Sequence, residues 1–312
     1  MSKRNEKNIH GILNILKPPG MTSHDVVDCV RKSLGVRRVG HTGVLDPAAS
    51  GVLVLCVGNA TRLADVVSEQ EKSYVAEVTF GIVTDSYDGD GKVVARAEPQ
   101  NLTADRIEQA LPGFLGEIQQ CPPPQSSVHY QGKKLYEWNR ETVMVIPEPR
   151  PVHVHAIALR RFIPGRLPRA LLEISCGKGT YVRTLAHDLG QTVGSGAYLS
   201  FLVRQGISSF CLRDAILLEA LLSAPCPESL LQPLLSAVPH LPACSLRDRG
   251  VSRIRHGMPV TPEDVFVRPD SSLPHLQELA LVNTNGDLVA LGEYHQVGRT
   301  YFQIQPRKVF SQ

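Results

Sequence analysis

The stretch Arg38-Val39-Gly40-His41-Thr42-Gly43-Val44-Leu45-Asp46-Pro47 decides how the rest of the chain is read. It holds two glycines, a histidine, a threonine and a lone carboxylate, with Pro47 directly after Asp46 and the apolar run Gly51–Val57 soon downstream. Glycines permit unusual backbone angles or close ligand approach, and proline restrains the residue before it. That is the pattern of an active-site loop. A surface turn in which Asp46 bonds only its own backbone fits the same ten residues, so the loop alone does not choose.

Composition narrows the classes. With 312 residues and 42% hydrophobic content, the chain can build one large domain, or a large and a small one, around a real core. No run approaches the ~18 apolar residues of a membrane span, and the polar start Met1–His10 has no apolar signal region behind it, so a cytoplasmic protein is expected. Seven cysteines stand without a C-x-x-C pair, which suggests neither a zinc knuckle nor a disulfide scaffold. A net charge of +3 makes nucleic-acid binding a matter of local clusters, such as Arg37 and Arg38, Lys133 and Lys134, and Arg247, Arg249, Arg253 and Arg255.

Working outward, Gly11–Leu16 predicts a short strand and Lys17-Pro18-Pro19-Gly20 a rigid turn presenting a lysine. Thr22 and Asp25 have capping-box spacing ahead of the stripe Val26, Val27, Val30 and Leu34, which predicts a helix over 23–34. Gly51–Val57 is a strand, and 59–67 a short helix. From Lys72 to Gly81 the alternation places Tyr74, Ala76, Val78 and Phe80 on the packed face of a strand. Thr84–Gly91 is an acidic turn whose D-x-x-D-x-D spacing invites calcium but lacks the twelve-residue loop and terminal glutamate. Thr103 can cap a helix, and 133–140 can form a short basic one. Val152, Val154, Ala156 and Ala158 alternate with His153 and His155, two histidines without a third ligand. After a strand through Leu172, Ile174 and Cys176, Thr180 is a plausible N-cap for a helix with the stripe Val182, Leu185, Ala186 and Leu189. Arg183 falls in its first turn, where the helix dipole disfavours a cation, so a buried Arg183 needs an anion. Residues 212–222 predict an apolar helix, Pro225–Pro242 a proline-spaced linker, and the tail from 246 a small, mostly β module.

Seven segments in this order resemble the bacterial tRNA pseudouridine-55 synthases of the TruB family. They are Gly11–Ser23, Val39–Pro47, Gly58–Thr61, Lys72–Tyr74, Phe80–Asp85, Gly132–Tyr136 and Lys178–Arg183. The resemblance covers essentially the whole chain. It implies an α/β (α+β) catalytic core around a mixed, mainly antiparallel sheet over 11–240, after a polar tail at 1–10. A β-rich, PUA-like RNA-binding module would occupy 246–312. It also implies isomerisation of the uridine at position 55 in the tRNA T-loop, by a cytoplasmic monomer, with no cofactor and no metal. Asp46 matches the family's catalytic aspartate, Tyr74 the tyrosine packed on the target base, Arg183 the arginine paired with the aspartate, and His41 the histidine that holds the opened loop. Tyr181 and Leu202 are further candidates for substrate contact, and Lys17, Lys133 and Lys134 for phosphate contact.

The chemistry fits these residues. Asp46 must be ionised either to attack C1′ or C6 or to abstract a proton, and Arg183 within about 4 to 6 Å would favour that form. Tyr74 could be a platform, a proton acceptor or both. The chain departs from the family's usual pattern at Val44 (commonly threonine), Gln125 (aromatic), Ser127 (alanine), His129 (lysine) and Gly177 (serine), none of which removes a proposed catalytic group. A non-catalytic RNA-binding protein on the same scaffold need not retain Asp46, Tyr74 and Arg183 together. A small-molecule glycosidase would usually need a second acid in its site.

Overall fold

The computed structural model describes residues 8–99, 101–126, 128–135, 138, 147–267, 273–297 and 301–310. In chain order the first half contains β1 (Gly11–Lys17), α1 (Ser23–Leu34), β2 (Val39–His41), β3 (Ser50–Val57), α2 (Ala64–Glu69), β4 (Lys72–Phe80), β5 (Ile82–Thr84), β6 (Val93–Arg96), α3 (Ala104–Ala110) and β7 (Gly116–Gln120). The short pair β8 (His129–Tyr130) and β9 (Lys133–Lys134) precedes β10 (Arg150–Ile163), β11 (Arg169–Cys176), α4 (Val182–Thr192), β12 (Ala197–Ile207), β13 (Phe210–Cys211) and β14 (Ile216–Leu217).

These strands build a ten-stranded sheet in the order β14-β1-β3-β12-β4-β11-β10-β7, with β2 added to β3 and β13 to β12. Only β1/β14 and β3/β12 pair in parallel, so the sheet is mixed and mainly antiparallel. The interior strand β3 has residues that alternate between two cores. Val52, Val54 and Cys56 join Ile12 on one face, while Leu53, Leu55 and Val57 join Leu13 and Ile15 on the other, against α1. This two-sided burial explains the unbroken apolar run in the sequence. The capping box of Thr22 and Asp25 opens α1, and Gly35 closes it at φ 68. On β4 the packed face is the expected one, and it shares a core with β11, β12, α3 and α4.

Several expectations give way. The alternation over 152–158 is broken by a bulge between Val154 and Ala156, which turns Ala156 and Ala158 to solvent and brings Ile157 and Leu159 toward the core. The helix expected over 212–222 is limited to Leu218–Ser223, because Ile216 and Leu217 pair with Ile15 and Leu16 at the sheet edge. Lys133 and Lys134 lie in β9 rather than a helix, and most of 136–146 falls outside the described residues. Nor is 225–242 a free linker. Gln232 and Ile12 exchange backbone hydrogen bonds of 2.9 and 2.8 Å, and Ala237 and Val238 are fully buried.

The tail forms a separate four-stranded sheet, β15 (Ala243–Ser245), β16 (Glu278–Val282), β17 (Leu288–Val297) and β18 (Tyr301–Val309), in that order. Against it packs a helix the sequence reading did not include, Asp248–Arg255. Its Arg249 and Arg253 both pair with the fully buried Asp264, at 3.1 and 3.3 Å.

Candidate active site

The loop from His41 to Pro47 is held by its backbone. The Thr42 N–H and hydroxyl both donate to the Val54 carbonyl, at 3.1 and 3.3 Å. The Leu45 N–H donates to the Ser23 hydroxyl at 2.9 Å, and that hydroxyl donates to the Leu45 carbonyl at 3.1 Å. Neither Gly40 nor Gly43 adopts a positive φ. The glycine the loop depends on is Gly51, at φ 112, where an added Cβ would lie 2.2 Å from the Arg204 carbonyl oxygen.

Asp46 stands on the floor of a cleft of about 1670 Å³, bordered by this loop, β4, the turn at 83–92, residues 124–126 and the start of α4. Arg183 grips it in two places, with Nε 3.0 Å from Oδ2 and Nη2 3.3 Å from Oδ1. The Arg183 side chain is only 7% exposed, whereas that of Asp46 keeps 36% of its surface open. So the guanidinium is structural backing and the carboxylate faces the cleft. The remaining donors are engaged as well. Arg183 Nη2 donates to the Gln125 carbonyl at 3.2 Å, and Nη1 to the Ser86 carbonyl at 3.4 Å and to Asp88 Oδ2 at 3.1 Å. Because the Gln125 contact is made by main chain, it does not depend on whether an aromatic or a glutamine stands there.

Asp88 is a partner the sequence reading missed. It lies in the acidic turn taken for a weak calcium motif, and among the described residues no three His, Cys, Asp or Glu side chains are grouped to hold a metal ion. A buried arginine at a helix N-terminus calls for an anion, but nothing in the sequence pointed to Asp88 as a second one beside Asp46. The consequence for Asp46 differs from the simple expectation. Burial raises its carboxyl above the ordinary range. Arg183 opposes that rise, but Asp88 and Asp90 reinforce it, so Asp46 does not have the whole of the guanidinium charge.

The helix that supplies Arg183 is capped differently from the expectation at Thr180, whose hydroxyl turns back to the Gly177 carbonyl at 3.1 Å. Tyr181 is the N-cap. The Gln120 side chain takes its N–H at 2.7 Å and donates to its carbonyl at 3.1 Å, so the neighbouring strand β7 fixes the helix start.

Tyr74 lies at the cleft beside Leu202, both nearly buried. Burial pushes the Tyr74 phenol above its ordinary value against the opposing charge of Arg204, so the ring is neutral at neutral pH. Arg204 is its direct cross-strand neighbour on β12 and is fully buried. The Arg204 guanidinium donates to the carbonyls of Val52 at 2.7 Å, Gly43 at 3.1 Å and Val44 at 3.3 Å. It thereby ties the part of the loop ahead of Asp46 to the strand that follows it. Nothing in the sequence around Arg204 signals this role, because the residues it holds are some 150 to 160 positions away and are engaged through main chain.

His41 borders the cleft with Nδ1 buried and unpartnered, and burial lowers its pKa, which keeps the ring neutral. Tyr181 also lines the cleft. Lys17 departs from its expected phosphate contact. It is fully buried, and its ammonium donates to the carbonyls of Pro18, Met21 and Pro47 at 2.9, 2.6 and 3.1 Å, so it ties the Pro-Pro-Gly turn to the residue after Asp46. Lys133 is exposed, with Nζ 4.8 Å from the Trp138 ring centre, and the Lys134 side chain lies outside the described residues.

Comparison with known proteins agrees with this arrangement. Residues 31–182 match the TruB family pseudouridylate synthase N-terminal domain. A tRNA pseudouridine synthase B of Symbiobacterium thermophilum is 48% identical over 250 residues, covering 80% of this chain and 83% of the relative. That of Moorella thermoacetica is 40% identical over 304 residues, covering 96% and 99%. Among solved structures, an H/ACA RNP bound to a substrate RNA containing 2′-deoxyuridine superposes with a TM-score of 0.74 at 26% identity, covering 97% of this chain and 85% of that one. A Cbf5-Nop10-Gar1 complex gives the same TM-score at 27% identity, with 96% and 85% covered. The extent of these matches, on a fold that brings Asp46 and Arg183 together, establishes that the chain belongs to the TruB family of pseudouridylate synthases.

Proposed function

We propose that this chain isomerises uridine 55 in the T-loop of tRNA to pseudouridine, with Asp46 as the catalytic carboxylate, Arg183 its charge partner, and Tyr74 and Leu202 the surface against which the extruded base rests. The observation that carries the reading is the two-point grip of a buried Arg183 on a cleft-facing Asp46. A protein that only binds RNA has no use for a fixed, solvent-open carboxylate backed in this way.

The reaction breaks the N1–C1′ glycosidic bond and forms a C5–C1′ bond; the proton on C5 is lost to solvent and N1, freed of the ribose, takes up a proton in its place. Asp46 is placed to act in its ionised form as a nucleophile or base. The neutral Tyr74 offers a flat face, and its oxygen can accept a hydrogen bond but carries no charge of its own. Taking the target out of its stacked loop costs a few kcal/mol, which contacts from the neutral His41 ring and the exposed Val44 side of the loop offset. None of these steps draws on a metal or an organic cofactor.

Tritium at C5 of uridine measures the reaction directly. Incubation with a T stem-loop so labelled should release tritium. Release should stop when uridine 55 is replaced by cytidine and fall by at least about a thousandfold with Asp46→Asn. Equal release by Asp46→Asn removes the assigned role, and no release by the unaltered protein removes the function.

A further inference from the structure

We infer that the stacked pair Tyr87 and His187 forms a second base platform in the cleft, taking a nucleobase next to the target uridine in the RNA. This rests on the reading of the cleft as a uridine site and extends it to a neighbouring nucleotide.

Four observations converge on the pair. The two rings lie parallel, with centroids 3.9 Å apart and planes at 14°, and both border the same cleft as Asp46. Tyr87 is half-buried, so the stack leaves aromatic surface on the cleft. It immediately precedes Asp88, which shares Arg183 with Asp46, so the platform and the catalytic carboxylate are joined through one guanidinium. Second, Tyr87 adopts φ 65, a left-handed conformation that a bulky aromatic residue seldom takes, and Nδ1 of His187 is buried with no hydrogen-bond partner. The Tyr87 backbone is thus held where a bulky side chain would not settle by itself, which fixes the direction of the ring.

Third, the turn that carries Tyr87 is fixed before any ligand arrives. The Thr84 hydroxyl donates to the Asp88 carbonyl at 2.7 Å, the Lys92 N–H to Asp85 Oδ1 at 2.9 Å, and the Leu199 N–H to the Tyr87 carbonyl at 2.9 Å. A ring held this way loses little freedom when a base stacks on it. Finally, the cleft of about 1670 Å³ exceeds the roughly 300–1,000 Å³ of a site for one small molecule. It has room for the target uridine and a neighbour. Burial lowers the pKa of His187, so the stack is neutral and suits a base rather than a phosphate.

The test pairs protein and RNA changes. T stem-loops carrying an abasic residue at each position flanking the target, in turn, are compared with the intact stem-loop, using the unaltered protein, Tyr87→Phe and Tyr87→Leu. Affinity is read by filter binding and turnover by tritium release. Stacking on one ring corresponds to about 5- to 150-fold in affinity. Tyr87→Leu should weaken binding of intact RNA by that factor, and Tyr87→Phe should keep it. One abasic RNA should bind the unaltered protein as weakly as intact RNA binds Tyr87→Leu, with no further loss when the two changes are combined. Independent losses, or equal binding by Tyr87→Leu at unchanged melting temperature, overturn the platform while turnover leaves the function standing. Absence of both binding and turnover overturns both.

Discussion

Replacing Asp88 with asparagine removes one charge from the Asp46–Arg183–Asp88 array while keeping its shape. Two effects follow, and they separate by pH. Arg183 Nη1 lies 3.1 Å from Asp88 Oδ2, and the Asp88 side chain is only 13% exposed, so this is a charge-assisted bond with little solvent screening. Such bonds contribute about 1.5–3 kcal/mol, about twice a neutral one, so the substitution weakens the hold on Arg183 by about 1–1.5 kcal/mol. If that loss appears fully in the chemical step, the rate falls by roughly 5- to 12-fold. The second effect runs the other way. Asp88 is one of the charges that raise the Asp46 carboxyl, so its removal lets Asp46 ionise at lower pH. Single-turnover tritium release across about pH 5 to 8 should therefore show a lower plateau and an acid limb displaced to lower pH, with the deficit shrinking as pH falls. An acid limb that stays in place or moves upward would refute the electrostatic account of the array.

Two further outcomes are expected. Stability should peak at about pH 9. Burial holds Lys17 and Lys72 at about 8 in the folded state, below the ordinary 10.5, so above pH 8 the unfolded chain keeps protons the folded one has released and stability rises. Burial pushes Cys56 up to about 12 and Cys176 and Cys244 up to about 11 from 9.0, so above 9 three thiols outweigh two ammoniums and stability falls. Melting temperatures that decline steadily from pH 8 contradict this. Separately, Gly51→Ala should lower stability by about 3 kcal/mol or more, since its φ of 112 is strained for alanine and its Cβ would meet the Arg204 backbone at 2.2 Å. A urea midpoint equal to that of the unaltered protein refutes the clash.

What the sequence made legible was whatever is written locally. The capping box at Thr22 and Asp25, the period-two pattern of β4 and the apolar run of β3 are each set by neighbours a few residues apart. Arg183 was legible as a cation in want of an anion, the resemblance named Asp46 as its partner, and the structure shows the two joined across 137 positions. Asp88 and Arg204 were not, for different reasons. Asp88 sits in a turn whose acidic residues satisfy a bland pattern, and Arg204 acts on main-chain carbonyls that carry no side-chain signature. Lys17 was misplaced because a lysine next to Pro-Pro-Gly looks solvent-bound until the fold closes over it. Gly177 turns out to need no glycine, since an added Cβ would have only ordinary contacts, the nearest at 3.6 Å.

The hydrophobic cluster under β3 does not stop at the boundary of the main sheet. Val52, Val54 and Cys56, with Phe210, Ala237 and Val238, continue into Ala280, Val282, Leu288, Leu291 and Phe310 of the tail sheet. A side chain from each part also reaches across the join, Arg62 donating to the Val309 carbonyl and Lys308 to the Arg62 carbonyl. The tail sheet is therefore docked by a shared interior, where a hinged appendage would be linked by a strand of polar residues. Any ligand long enough to touch both the cleft at Asp46 and the arginine-bearing helix Asp248–Arg255 meets two points whose separation is set by packing. A ligand that reached both would be measured by its length as well as by what enters the cleft.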